Sequence, residues 1–197
     1  MIAIKLLQKH GASIKTFKKG AFIFEKNDLP LYYFQVVSGL VKINNFNDQG
    51  KEFIQGFFKE GSSFGEPALL ANMPYPSNAE VVKNTVIIQL PKTEFLELMT
   101  NPIASIAIVK SIAKRLYFKS LITAEISYKK PPHIVLTLLE YIKATTSDSC
   151  ASNLFKIALT RQEIASLTGL RVETVIRAIK LLETQGAIQI INRKVYL

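Results

Sequence analysis

Two short stripes of apolar residues, each with helical spacing, meet at a single glycine in TRQEIASLTGLRVETVIRAIKLLETQG, residues 160–186. Thr160-Arg-Gln-Glu163 has capping-box form, in which the Thr160 hydroxyl accepts from the Glu163 amide and the Glu163 carboxylate reaches back. Ile164, Ala165 and Leu167 give the first helix a buried side, and Ala165 is small where a second helix must cross closely. Gly169 takes positive φ at no steric cost, so the chain turns sharply there, with Leu170 plugging the corner. Val175, Ala178, Ile179 and Leu182 form the buried stripe of the second helix. This is helix-turn-helix spacing. The closing stretch AIQIINRKVYL (187–197) predicts a hairpin turning near Asn192–Arg193, and the two together make a winged helix.

With the buried stripe subtracted, Arg171, Glu173, Thr174, Arg177 and Lys180 remain outside, mostly on the first half of the second helix. In a helix-turn-helix those positions enter the major groove of DNA. An arginine fork matches guanine O6 and N7, and a glutamate accepts from cytosine N4. Glu173 and Arg177 are four apart and share a face, so they are the predicted base readers. The competing reading is a solvated helix on which the pair forms a surface salt bridge, worth a few tenths of a kcal/mol, roughly.

Upstream the apolar period is different. Residues 14 to 91 read as β, with short runs at 21–24, 32–39, 40–46, 51–58 and 79–90. They are rich in β-branched and aromatic side chains and punctuated by Gly20, Gly39, NDQG (47–50), Gly61 and Gly65. Many short strands at this spacing predict an antiparallel sandwich or jelly-roll barrel, with the glycines at its corners. From Lys92 the pattern turns helical. A short helix covers 92–99, and a longer one starts with Asn101 as N-cap and Pro102 at N1. Within it Ile106, Val109, Ala113, Leu116, Ser120 and Thr123 follow alternating spacings of three and four, the seam of a two-stranded coil. Dimerisation is the adopted reading, against a helix packed on its own barrel. KKPPH (129–133) is the expected linker, since two prolines do not fit a helix interior. Beyond it come a helix at 134–144, a polar loop at 145–153 and a short strand at 154–159. The predicted class is therefore α+β: a barrel domain over 1–100, a dimerisation helix and hinge over 101–130, and a winged helix-turn-helix over 131–197.

Charge is unevenly spread. Residues 1–99 carry 11 basic and 9 acidic side chains, whereas residues 100–197 carry 14 and 6. A basic C-terminal half suits a polyanion partner. The single cysteine, Cys150, excludes an internal disulfide and a multi-cysteine metal site, and suits a reducing cytoplasm. The N-terminal apolar run is too short for a signal peptide. No run of eighteen apolar residues exists to span a membrane. Metal-dependent jelly-roll enzymes need clustered His and carboxylate ligands, yet only His10 and His133 are present, both outside the expected strands. No nucleophile–base set is visible, so an enzyme is not expected and no metal site is assigned.

These features together resemble the Crp/Fnr family of bacterial transcription regulators over nearly the whole chain. The resemblance rests on FKKGAFIFEKND (17–28), YYFQVVSGLVKI (32–43), EGSSFGEPALL (60–70), the long helix, and LTRQEIASLTGLRVETVIRAIKLLETQGAI (159–188). It implies a cyclic-nucleotide-binding-type barrel, a dimerising helix and a winged helix that binds palindromic double-stranded DNA, with RNA polymerase as a further partner. It implies Glu173 and Arg177 as base readers, and Thr160, Arg161, Gln162, Arg171, Thr174 and Lys180 as contacts to the DNA backbone. It places an effector pocket at Phe64, Gly65, Glu66, Ser77 and Asn78. VET..R (172–177) looks like the recognition helix of the oxygen-responsive branch.

Three departures from the family pattern matter. Where the cyclic-AMP branch has an Arg-Ser/Thr pair, this chain has Pro76-Ser77 or Ser77-Asn78, so a cyclic phosphate would lose its bidentate cation and no cyclic nucleotide is expected. The iron–sulfur members need four cysteines. The recognition helix starts at Arg171 rather than at a Ser/Thr cap, which gives up about 1 kcal/mol. A haem would have to take His10, His133, Cys150 or a methionine, and a lone histidine is far more often structural; no cofactor is predicted. The competing function is a ligand-sensing module that signals through protein contacts without binding DNA.

Overall fold

The computed structural model describes residues 2–127, 130–146 and 154–197. The chain divides into two compact units, Met1–Lys114 and Arg115–Leu197. The first begins with a short helix α1 (Ile4–Lys9) and strands β1 (Ser13–Phe17), β2 (Phe22–Phe24), β3 (Tyr32–Phe46), β4 (Glu52–Lys59) and β5 (Ser63–Phe64). Helix α2 (Glu66–Ala71), strand β6 (Asn78–Pro91) and helix α3 (Lys92–Leu98) follow, and then the long helix α4 (Pro102–Ser127).

All strand pairs of this unit are antiparallel, in the order β1-β6-β3-β4, with β2 also on β6 and β5 also on β3. The expected barrel is corrected to a sheet that does not close, because its edge strands β1 and β4 are not paired with each other. Two long strands form the centre of this sheet. β3 and β6 pair from Tyr32–Pro91 to Asn44–Asn78, with register shifts between Val36 and Val41. Such bulges bend and twist a sheet locally, and each long strand changes outer partner along its length. The turn expected at Gly39 is one of these irregularities inside a single strand. Gly39 has φ +103, and a Cβ there would lie 2.6 Å from the Asn84 carbonyl oxygen, so only glycine fits this close approach.

Alternation along the strands sorts side chains into two cores. Tyr33, Ile88 and Leu90 face the helices and pack with Leu7, Phe95, Leu98, Ala104 and Ile108. Phe34, Val36 and Ile87 face the other way, with Phe24, Phe64 and Tyr75. Asn101 caps α4 as the sequence predicts: its Oδ1 accepts from the amides of Ile103 at 2.9 Å and Ala104 at 3.3 Å.

The second unit contains the end of α4, then α5 (Pro131–Thr146), α6 (Arg161–Thr168), α7 (Val172–Thr184) and the hairpin β7 (Gln189–Ile191) and β8 (Lys194–Tyr196). Helix α5 starts earlier than the expected Ile134. The two prolines form its first turn, where backbone N–H groups have no intrahelical acceptor to lose. The Lys130 carbonyl accepts from His133 and Ile134. Residues 128–129, which include the first lysine of the break, and 147–153 with Cys150 lie outside the described residues. The expected strand at 154–159 is reduced to one bridge, Lys156 opposite Tyr196, with Phe155 and Leu197 exchanging backbone hydrogen bonds of 2.8 and 3.0 Å. Val135, Leu138 and Leu139 of α5 form the core with Ile164 and Ala165 of α6 and Val175, Ala178, Ile179 and Leu182 of α7, and Phe118 and Ile122 pack against it.

Candidate nucleic-acid interface

Local chemistry sets the geometry of α6 and α7. The Glu163 amide donates to Thr160 Oγ1 at 3.1 Å, and the Thr160 amide donates to Glu163 Oε2 at 2.7 Å. Both halves of the capping box are therefore made, and α6 starts at one defined residue. Gly169 ends it in the left-handed region, at φ +73. Arg171 then stands at the N-cap of α7 in an extended conformation without a side-chain cap bond, and its carbonyl accepts from the amides of Thr174 and Val175 at 3.0 Å each.

The buried residues of α7 are Val175, Ala178, Ile179 and Leu182, as the apolar stripe predicts. This fixes the rotation of the helix. Arg171, Glu173, Arg177 and Lys180 are exposed and Thr174 is half-buried; on and beside α6, Thr160 and Gln162 are exposed and Arg161 is half-buried. Glu173 and Arg177 do not form the ion pair that a solvated surface helix would use. Salt bridges do form elsewhere in the chain, where Lys42 pairs with Glu52 at 2.7 Å and with Glu80 at 3.1 Å. Glu173 lies in the first turn of α7, where a negative charge also meets the positive end of the helix dipole.

The hairpin contributes a feature the sequence reading missed. Its turn residues Asn192 and Arg193 both have positive φ, +49 and +62. Arg161 Nη1 donates to the Arg193 carbonyl oxygen at 3.2 Å. One α6 side chain thus ties the helix-turn-helix to the hairpin, and it sets basic Arg193 and Lys194 at the tip. The signal available in the sequence was two basic residues at a tight turn.

The predicted dimer seam lies on α4. Ile106, Val109, Ala113, Leu116, Ser120 and Thr123 are all exposed in the single chain, whereas Ala104 and Ile108 on the other side are buried. Val109 and Leu116 are 64% and 63% exposed, large values for aliphatic side chains on an ordered helix. Ser120 and Thr123 return their hydroxyls to the carbonyls of Leu116 and Lys119, at 3.0 and 2.8 Å, so the helix satisfies them by itself.

The five residues of the predicted effector pocket fall together around the second core of the first unit. Phe64 is fully buried and stacks on Phe34 with centroids 5.5 Å apart. Gly65 lies beneath Tyr75 and Phe24, whose rings stack at 3.6 Å. Glu66 is fully buried and accepts a short hydrogen bond from Ser63. Ser77 is buried, and Asn78 Oδ1 accepts from the Lys26 amide at 2.8 Å. The first arginine in the sequence is Arg115, so the first unit holds no guanidinium. His10 donates through Nδ1 to the Leu6 carbonyl at 2.9 Å, within its own helix turn. No group of three or more His, Cys, Asp or Glu among the described residues is placed to hold a metal ion. No single helix among them is long and apolar enough to cross a membrane.

Comparison with known proteins is consistent with both units. Residues 14–101 match the cyclic nucleotide-binding domain family, and residues 134–197 match the Crp-like helix-turn-helix domain family. The chain is 30% identical over 161 residues to the cAMP-activated global transcriptional regulator CRP of Haemophilus influenzae, covering 80% of this chain and 70% of that protein. It is 25% identical over 185 residues to the transcriptional activator protein anr of Pseudomonas aeruginosa, covering 93% and 75%. Among solved structures it is similar to the c-di-GMP responsive global regulator CLP of Xanthomonas campestris, with a TM-score of 0.76 at 18% identity and 98% of each chain covered. That last likeness is one of fold.

Proposed function

The chain belongs to the Crp/Fnr family of transcription regulators, and on that basis we propose that it reads palindromic promoter DNA as a homodimer. Two copies join along the α4 seam, from Ile106 to Thr123. Each α7 enters one major groove, and the half-sites lie about one helical turn apart. Glu173 and Arg177 read base edges. Arg171 and Lys180 contact phosphates, as do Thr160, Arg161, Gln162 and Thr174. Arg193 and Lys194 add positive charge at the hairpin tip. RNA polymerase is the protein partner, and the cytoplasm, where the DNA is, is the place of action.

The observation that carries this reading is the free pair on α7. Glu173 and Arg177 stand exposed opposite the buried stripe and leave each other unpaired. A carboxylate on an otherwise basic surface opposes phosphate, so it makes sense where a cytosine amino group meets it. Selection from duplexes with randomised half-sites tests the reading. An enriched inverted repeat is expected; a flat outcome would sink the regulator in favour of a module that signals through protein contacts.

The effector is a separate question. An anionic cyclic phosphate is best held by a bidentate guanidinium, and the first unit has only lysines to offer. We expect calorimetric titration with cyclic AMP or cyclic GMP to give no heat at micromolar ligand, and the purified protein to show no Soret band. The aromatic packing of Phe24, Phe34, Phe64 and Tyr75 favours an effector that acts elsewhere, or control by abundance.

A further inference from the structure

Ile176 is 43% exposed on α7, one residue before Arg177 and three after Glu173. The same helix gives Val175, Ala178, Ile179 and Leu182 to the buried core. At 3.6 residues per turn it projects about 60° from Glu173 and about 40° from Lys180, so it shares their side of the helix. A β-branched side chain on a solvated helix face loses χ1 freedom and gains no burial. Leu181 is also exposed, at 46%, but it lies about 140° away from Ile176 and in the second half of the helix.

From this placement we infer that Ile176 determines specificity by covering the 5-methyl group of a thymine in each half-site. The inference rests on the reading of α7 as the groove-entering helix, and deepens it. Among the four bases only thymine offers a methyl group in the major groove. Arg177 and Glu173 answer hydrogen-bonding edges and leave that methyl unread. An aliphatic group beside them buries it and is itself taken out of water, which makes a thymine at one fixed offset from the G·C position part of the site.

The test uses the full-length protein and the duplex recovered by selection from randomised half-sites. Each thymine of that duplex is replaced in turn by deoxyuracil, which removes the methyl and keeps every hydrogen-bonding group. Wild-type protein should lose about three- to fivefold in affinity at one thymine per half-site, the effect of one buried methyl. Ile176→Ala should bind the thymine and uracil duplexes equally, while Lys180→Ala keeps the difference. Ile176 is at the surface, so its variant should fold, and circular dichroism checks that it does. Wild-type binding that is indifferent to uracil at every position would overturn the proposal without a variant. So would an Ile176→Ala protein that still prefers thymine, or a selected motif that holds no thymine in the half-site. These outcomes leave the regulator standing, whereas failure to select any sequence removes both.

Discussion

Arg161 reaches from the first turn of α6 to the carbonyl oxygen of Arg193, 3.2 Å away at the hairpin turn. The bond uses one of five guanidinium N–H donors, which leaves others to face a phosphate. Arg161→Ala should therefore act twice. Amide exchange at residues 192–194 should accelerate as the turn loses its anchor. The slope of log affinity against log salt should fall by about one, as loss of one phosphate contact requires. Exchange mass spectrometry and salt-titrated binding read the two effects separately. An unchanged slope would make Arg161 a strut alone.

The charged residues of α7 separate into two classes by their effect on sequence preference. Arg177→Ala should cost about 1–3 kcal/mol on the selected site and relax preference at one G·C position. Glu173→Ala should also relax preference, but raise affinity for unrelated DNA by removing a negative charge. Lys180→Ala and Arg171→Ala should weaken all sequences alike. Repeating the half-site selection with each variant distinguishes these outcomes. A uniform loss with an unchanged motif for Arg177→Ala would remove it from the base readers.

What could be read from the sequence was what is decided locally. The Thr160–Glu163 box, the Asn101 cap, the Gly169 turn and the Asn192–Arg193 hairpin each depend on residues within four positions of one another. Periodicity placed Val175, Ala178, Ile179 and Leu182 on the correct side of α7. Long-range geometry was not legible. Gly39 looked like a turn, but its neighbours Asn84 and Thr85 on β6 make it an irregularity within β3. Closure of the barrel depended on whether the edge strands meet, which no window of sequence records. The Arg161–Arg193 bond spans 32 residues. Ile176 is different: its position off the buried stripe of Val175, Ala178, Ile179 and Leu182 is visible in the helical pattern of the sequence itself.

The seam on α4 predicts a defined oligomer. Leu116 is exposed in the single chain and central to the proposed pairing, so a charge there would be buried twice across the two-fold axis. Leu116→Glu should convert a dimer to a monomer in analytical ultracentrifugation without lowering the helix content. Affinity for the inverted repeat should drop towards that for a single half-site. A wild-type protein that sediments as a monomer on and off DNA would overturn the seam.

Tyr75 gives a prediction for the first unit and for its pH dependence. Its ring stacks on Phe24, its residue is 3% exposed, and its hydroxyl has no hydrogen-bond partner. Burial first, and then the nearby carboxylates of Asp28 and Glu66, push its pKa well above the ordinary value of 10.0. Such an acid holds its proton in the native state after the unfolded chain has lost it. Its contribution to stability is therefore constant below about pH 10 and falls as pH rises beyond that value. Lys42 acts in the same direction. Burial lowers its pKa, but bonds to Glu52 and Glu80 outweigh this and leave it above 10.5, so its ion pairs persist until pH rises through the native value. Tyr75→Phe removes the orphaned hydroxyl and should stabilise the unit by about 1–3 kcal/mol at neutral pH. It should also flatten, without abolishing, the decline above about pH 10, because Lys42 still titrates there. Thermal unfolding followed by circular dichroism from neutral to alkaline pH measures both. A lower melting temperature for Tyr75→Phe at neutral pH would mean that the hydroxyl is satisfied in solution, and that the ring is held by a polar contact as well as by its stack on Phe24.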